Sequence, residues 1–265
     1  MTKIIAEIGW NHMGDLELAK KMIVSAKDNG ADFVKTQFFS TKNLKPGPWD
    51  NDGRREIYEK AQLNINKYLE LKEFARTKKI IFFTSVFNIE GLKEIFSFEK
   101  EIIKIPSVES NNYEMIEFAS RNFEKILIST GTLKKEEIIK ISNIVEKKKL
   151  TLLHCVSSYP CKDENVNLPK IIYLKKFSNS VGFSDHTQGI STAIFSLSLG
   201  ISYIEKHFTI DQSLPGRDNK FSILPKDLLM LKNQIELFKK NFIDHGEDYL
   251  PCEEEARNIY SRRWG

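Results

Sequence analysis

The sequence predicts one α/β domain, a TIM (β/α)8 barrel. Short apolar runs alternate with amphipathic, helix-like stretches from residue 4 to about residue 240. Eight such units follow one another in a single chain, the signature of that fold. The residues that close the apolar runs are polar or charged, and these barrels keep their functional groups at the C-terminal strand ends. A doubly wound open sheet is the alternative, but the chain carries neither GxGxxG nor GxxxxGK[ST] to support it.

Residues 4–9 read as a short buried strand. Asp15 caps a helix that runs to Asn29, with Leu16, Leu18, Ala19, Met22, Ile23 and Ala26 at helical spacing. Gly30 ends it, and residues 32–37 form the next strand. Residues 38–66 are a long polar segment holding Pro46, Gly47, Pro48, Gly53, Arg54 and Arg55. A loop of that length in a compact domain is expected to be a functional lid. The alternation then continues as helix 66–78, strand 80–84, helix 89–96, strand 102–105, helix 111–120 and strand 126–129. Helix 134–147, strand 150–154, helix 168–176, strand 180–183, helix 188–199 and strand 201–204 complete the ring. A last helix over 225–240 begins at a proline, which suits the first helical turn. The reading gives eight strands and eight helices. Residues 1–243 are assigned to the barrel. Residues 244–265 are a tail without apolar periodicity.

Composition narrows the function classes. Lys plus Arg number 40 against 36 acids, a net charge of +4 that is scattered along the chain. No continuous basic patch points to nucleic acid. The three cysteines, Cys155, Cys161 and Cys252, show no CxxC spacing, which argues against a disulfide framework or a zinc knuckle. There is no signal-like N-terminus and no run of roughly 18 apolar residues. The expectation is a soluble cytoplasmic protein.

The strand ends, in order, give Glu7, then Lys35 and Gln37, Thr84 and Ser85, and Lys104 with Ser107 and Glu109. Next come Ser129-Thr130-Gly131, His154 with Ser157, Ser158 and Tyr159, Ser184-Asp185-His186, and Glu205 with His207. Charged groups at the ends of buried strands are costly unless paired, so a full ring of them describes a site. If the last two strands are parallel neighbours, His186 and His207 emerge side by side and can share one divalent metal. Asp185 and Glu205 could then orient them from behind. The plainer reading is two hydrogen-bonded core histidines. Lys35, Lys104, Ser107, Ser129 and Ser157 are donors suited to phosphate or carboxylate, or else barrel-mouth salt-bridge partners. Glu7 fits a metal ligand or proton carrier.

The motifs Ala6-Glu7-Ile8-Gly9-Trp10-Asn11-His12-Met13-Gly14-Asp15, Ala31-Asp32-Phe33-Val34-Lys35-Thr36-Gln37 and Lys104-Ile105-Pro106-Ser107-Val108-Glu109 carry a family resemblance. So do Ile128-Ser129-Thr130-Gly131, Leu153-His154-Cys155-Val156-Ser157-Ser158-Tyr159-Pro160, Gly182-Phe183-Ser184-Asp185-His186-Thr187, Glu205-Lys206-His207-Phe208-Thr209 and Pro215-Gly216-Arg217-Asp218. Over nearly its whole length the chain resembles the catalytic barrel of the sialic acid synthases, which include the pseudaminic and legionaminic acid synthases. The resemblance implies condensation of phosphoenolpyruvate with an open-chain aldose to a nonulosonic acid, with phosphate leaving by C–O cleavage. It implies Mn²⁺, or another divalent ion such as Mg²⁺ or Co²⁺, on His186 and His207, with Glu7 beside it as acid/base. Lys35, Lys104, Ser107, Ser129, Ser157, Tyr159 and Ser184 would hold phosphoenolpyruvate, and Gln37 and Asp218 would contact the sugar. A cytoplasmic homodimer is likewise implied.

Two positions depart from the family pattern: Pro106 stands where Gly is common and Val86 where Pro is common. Family synthases usually continue into an antifreeze-like domain that gives the dimer partner's site an arginine. Here the sequence stops after Ser261-Arg262-Arg263, which resembles the linker to that domain. The expectation is that Arg54, Arg55 or Arg217 compensates, or that a separate chain supplies the domain. The rival readings are a Schiff-base aldolase using Lys35 or Lys104, and a non-catalytic barrel subunit.

Overall fold

Val, Ile and aromatic residues dominate the apolar runs, and such residues favour pleated, buried strands. The strands are β1 (Lys3–Gly9), β2 (Phe33–Phe38), β3 (Ile81–Val86), β4 (Ile102–Ile105), β5 (Lys125–Ser129), β6 (Leu150–Cys155), β7 (Ser180–Asp185) and β8 (Tyr203–His207). In the computed structural model, which describes residues 2–264, each strand pairs in parallel with the next. β8 pairs with β1 and closes the barrel.

Among the described residues nine α-helices accompany the strands, not eight. They are α1 (Leu16–Asp28), α2 (Arg54–Ala61), α3 (Ile65–Thr77), α4 (Ile89–Phe96), α5 (Tyr113–Asn122), α6 (Lys135–Ile144), α7 (Lys170–Leu174), α8 (Ser191–Ser196) and α9 (Pro225–Asn241). Asp15, Asn64, Asn88 and Asn112 cap α1, α3, α4 and α5 by accepting from Leu18, Lys67, Gly91 and Met115 N–H. Each such cap contributes about 1 kcal/mol. The extra helix is α2, inside the expected lid. Short turns at Thr41–Asn43 and Pro48–Asp50 precede it, so the segment is ordered rather than structureless. Ala61 is the one buried residue of α2, too little apolar surface to leave a periodic signal.

The strands place two layers of side chains inside the barrel, because alternate residues face opposite sides of a sheet. Ile5, Phe33, Phe83, Ile102, Leu127, Leu153 and Tyr203 form one buried apolar cluster, with Gly182 at the eighth position. A side chain at Gly182 would meet Leu153 Cδ2 at 2.5 Å and Tyr203 O at 2.7 Å, so the layer closes only with glycine there. Two residues further along each strand stand Glu7, Lys35, Ser85, Lys104, Ser129, Cys155, Ser184 and Glu205, all buried. The outer strand faces pack against the helices in a second, larger core. No helix among the described residues is long and apolar enough to cross a membrane. Residues 251–264 carry a short 3₁₀ turn (Pro251–Glu253) and a π-helical turn (Ala256–Tyr260) and are exposed throughout.

Candidate active site

The upper interior layer is a buried network of charge. Lys35 Nζ lies 2.5 Å from Glu7 Oε2 and 3.8 Å from Glu205 Oε2, and donates to Ser85 Oγ at 2.7 Å. Lys104 Nζ donates to both oxygens of Glu205, at 2.7 and 2.9 Å. Ser184 Oγ donates to Glu205 Oε1 at 2.8 Å, and Gln37 Nε2 to Glu7 Oε1 at 2.9 Å. Two lysines thus face two glutamates, all four buried.

Burial shifts these groups apart. Burial pushes the Glu7 carboxyl above its ordinary range, against the Lys35 ammonium. Burial acts the same way on Glu205, but Lys104 and Lys35 outweigh it and hold that carboxyl well below its usual range. Lys104 is lowered by burial, with Glu205 opposing. Glu205 is therefore the carboxyl held ionised, and Glu7 the one that binds a proton more readily than an ordinary glutamate.

Hydroxyls gather beside the lysines. Gly131 N–H donates to Ser107 Oγ at 3.2 Å. A Cβ on Gly131 would stand 2.4 Å from Ser157 Oγ and 2.7 Å from Ser107 Oγ, so glycine leaves the space that both hydroxyls occupy. Ser157 Oγ is buried with no hydrogen-bond partner. Ser129 is buried at the end of β5.

The two imidazoles lie on the other side of the mouth, with ring centroids 5.5 Å apart. His186 Nδ1 contacts Val156 O at 2.8 Å, which makes Nδ1 the protonated nitrogen and leaves the Nε2 lone pair available. Cys155 Sγ lies 3.7 Å from the same Nδ1. Burial lowers the His186 pKa, but the Cys155 thiol outweighs it and the net shift is upward. Burial and the neighbouring His186 hold His207 well below the ordinary histidine range, so it is a neutral base. Its Nδ1 has no hydrogen-bond partner and stands 3.5 Å from Asp218 Oδ2. Tyr159 covers His186 at 4.1 Å, and Phe221 lies 5.3 Å from His207.

This donor set fits a divalent ion. It offers a free lone pair on His186 and a neutral His207 with an unpartnered buried nitrogen. Among the described residues no group of three or more His, Cys, Asp or Glu is arranged to hold a metal. The protein would give two nitrogens, one ligand fewer than the three of the usual catalytic zinc site, and leave the other positions to water and substrate.

One expectation is corrected. Glu205 and Asp185 do not orient the imidazoles. Glu205 is committed to Lys104 and Ser184, while Asp185 accepts from Thr187 N at 2.8 Å and from Lys206 Nζ at 3.1 Å. The reason is strand parity: Glu205 faces the lysines across the barrel, and Asp185 faces outward with Lys206. Arg54 and Arg55 are engaged by the lid itself, Arg54 with Asp52 and Arg55 with Asp50 at 2.5 Å. Arg217 is exposed beside Asp218, among the charges acting on Asp218 and Tyr58. Of the remaining residues singled out above, Glu7, Lys35, Gln37, Lys104, Ser107, Ser129, Ser157, Tyr159, Ser184, His186, His207 and Asp218 all lie at the same end of the barrel. Sequence reasoning listed Ser85 only as a strand end and gave no role to Cys155, Trp10 or Phe221. The first two obey the period-two rule that marks Lys35 and Lys104, and could have been found by it.

Comparison with known proteins gives a consistent result. A family profile described as the NeuB family matches residues 22–245. The N,N'-diacetyllegionaminic acid synthase of Campylobacter jejuni is 36% identical over 97% of this chain and 82% of its own length. The pseudaminic acid synthase of Helicobacter pylori is also 36% identical, over 98% of this chain and 81% of its own. The crystal structure of N-acetylneuraminic acid (sialic acid) synthetase from Leptospira borgpetersenii, in complex with citrate, superposes with a TM-score of 0.88 at 33% identity. That match covers 99% of this chain and 93% of that one. The chain belongs to the NeuB family, the sialic acid synthase family that its motifs resemble.

Proposed function

We propose that the chain is a metal-dependent enzyme that condenses phosphoenolpyruvate with an aldose, an N-acetylmannosamine-like or related amino sugar, to give a nonulosonic acid and phosphate. The observation that carries this reading is the pairing, in one barrel mouth, of a two-lysine, multi-hydroxyl cradle with two imidazoles that have nitrogens to spare. Lys35 and Lys104, with Ser107, Ser129, Ser157 and Ser184, bind the phosphate and carboxylate of the donor. Tyr159, over His186, closes the donor site on the metal side. A divalent ion on His186 and His207, Mn²⁺ or a similar one, would polarise the sugar aldehyde. Glu7 is placed by Lys35 and Gln37 to carry the proton, and Gln37 and Asp218 orient the sugar. Because both lysines are already charge-balanced, the donor must enter with exchange of ion-pair partners or with a proton on Glu7.

The test is phosphate release from phosphoenolpyruvate with Mn²⁺ across a panel of aldoses, beside chelator-treated enzyme and His186→Ala. Release that needs a sugar, the metal and His186 is the expected result. No release with any sugar, together with no binding of phosphoenolpyruvate, would overturn the reading. The lowered pKa of Lys104 favours a Schiff-base aldolase as the second reading. Borohydride trapping of a carbonyl substrate on the protein would support that one instead.

A further inference from the structure

The lysines that look scattered along the sequence are gathered by the fold. The strands run parallel around the closed barrel, so every segment leading into a strand lies at the N-terminal end, opposite the mouth. The segments that enter β3 to β7 are residues 78–80, 97–101, 123–125, 145–149 and 175–179. They hold nine lysines against four glutamates, more net positive charge than the whole chain's +4. One of those glutamates, Glu99, is buried on Lys72.

Hydrogen bonds set these segments side by side. Glu124 N donates to Lys100 O, Lys125 N to Glu101 O and Ile126 N to Lys149 O, each at 2.9 Å. Lys147 Nζ reaches Lys176 O at 3.4 Å. The lysines therefore form one continuous arc. Among the described residues Lys148 alone of the nine makes a salt bridge, with Glu146 at 2.9 Å. The helix dipole favours a cation at a helix end, but it does not account for nine with so few partners.

Two features say what the arc would meet. The neighbouring arginines are committed, Arg76 to Glu73 and Arg121 to Glu117, so the arc is made of lysine alone. Lysines are hydrated point charges, without the planar fork that grips one phosphate or reads a nucleic acid. Phe98 and Ile81 stand at the same end, 52% and 49% exposed. Lysines around exposed apolar side chains suit an anionic bilayer, where headgroups attract the ammonium groups and the apolar groups enter the interface.

We propose that the N-terminal end of the barrel is a peripheral docking surface for an anionic membrane. Contact of this kind needs no spanning helix. It turns the mouth away from the bilayer and leaves the site open to its substrates. The proposal stands apart from the condensing reading, and its test reads binding rather than turnover.

The full chain is sedimented with vesicles of phosphatidylcholine alone and with vesicles of equal parts phosphatidylcholine and phosphatidylglycerol. Binding to the mixed vesicles is expected to be at least about 100-fold tighter at low salt, and to fall steeply as salt screens the charges. Each lysine near such a surface contributes about fivefold, so Lys100→Gln, Lys175→Gln and Lys176→Gln together should weaken binding about 100-fold. Phe98→Ser should weaken it about tenfold, the scale of an aromatic ring leaving water. Urea midpoints near the parent's would show that both variants are folded, as expected for exposed side chains. Equal binding to the two vesicle types, binding to neither, or variants that bind as the parent does would overturn the proposal. Tighter binding to double-stranded RNA than to the mixed vesicles at the same salt would assign the arc to nucleic acid and overturn it as well.

Discussion

Strand β8 carries two buried charges that face opposite ways. Glu205 points into the barrel and Lys206 points out of it. Outside, Lys206 Nζ reaches Asp185 Oδ2 at 3.1 Å and Thr187 O at 2.7 Å, and the other Asp185 oxygen takes Thr187 N–H. That set is closed. Inside, the four charges of Glu7, Lys35, Lys104 and Glu205 are balanced, yet Glu7 Oε2, Ser157 Oγ and His207 Nδ1 have no hydrogen-bond partner. Native proteins leave few buried polar groups unsatisfied, and three in one concavity mark the place a ligand completes. Asp185 and Thr187 of the outer set flank His186 in sequence and so fix the loop that carries it. The inner set is built for exchange.

The contrast can be broken by removing each set as a pair. Lys104→Met with Glu205→Gln takes one charge of each sign out of the interior. We expect it to cost phosphoenolpyruvate-dependent activity about 10³-fold or more, the scale of losing preorganised electrostatic groups. The same variant should unfold in urea near the parent midpoint, since no charge is left alone. Activity within tenfold of the parent would mean that the inner network is structural like the outer one.

The outer pair should behave in the opposite way. Lys206→Met strands Asp185 as a buried, uncompensated charge, which costs about 3–5 kcal/mol. For a chain of this size that lowers Tm by roughly 10 °C. Adding Asp185→Asn removes the second charge while keeping an acceptor for Thr187 N–H, and should restore most of the loss. Turnover per folded molecule should stay within about tenfold of the parent, since the Val156 carbonyl still orients His186. A Lys206→Met protein as stable as the parent would show that the pair does not hold the loop.

This in–out parity was legible in the sequence, and most of the fold with it. The helix over 89–96 and the strand over 102–105 are predicted at their observed bounds, because strong periodicity and clear apolar runs set them. The strands around the ring are found to within a few residues. α2 was not legible, because a surface helix that buries only Ala61 leaves no stripe to read. Every polar strand end looked alike in the sequence, yet His154 faces outward, its Nε2 on Val166 O at 2.6 Å and its ring stacked on Phe183. The ion-pair partners were the least legible part. Lys104 and Glu205 are 101 residues apart, and only closure of the barrel brings them together.

His12 sharpens the comparison as a third kind of buried titratable group, one kept safe by neutrality instead of by a partner charge. It follows β1 in the loop to α1. Its Nδ1 accepts from Gly14 N–H at 3.0 Å, and its Nε2 is buried without a partner. Burial lowers its pKa from 6.5 to about 4. The folded state therefore binds a proton less readily than the unfolded chain, so stability rises with pH between those values. The contribution is fully present above pH 6.5 and is lost as pH falls toward 4, amounting to about 3 kcal/mol at most. Urea midpoints measured from pH 7.5 to 4.5 should fall through that window in the parent. In His12→Asn, where the amide oxygen can keep the Gly14 bond without titrating, the same series should be flatter. A parent and variant with parallel pH profiles would mean that His12 accepts its proton without disturbing the loop, and the inner carboxylates would then carry the acid sensitivity.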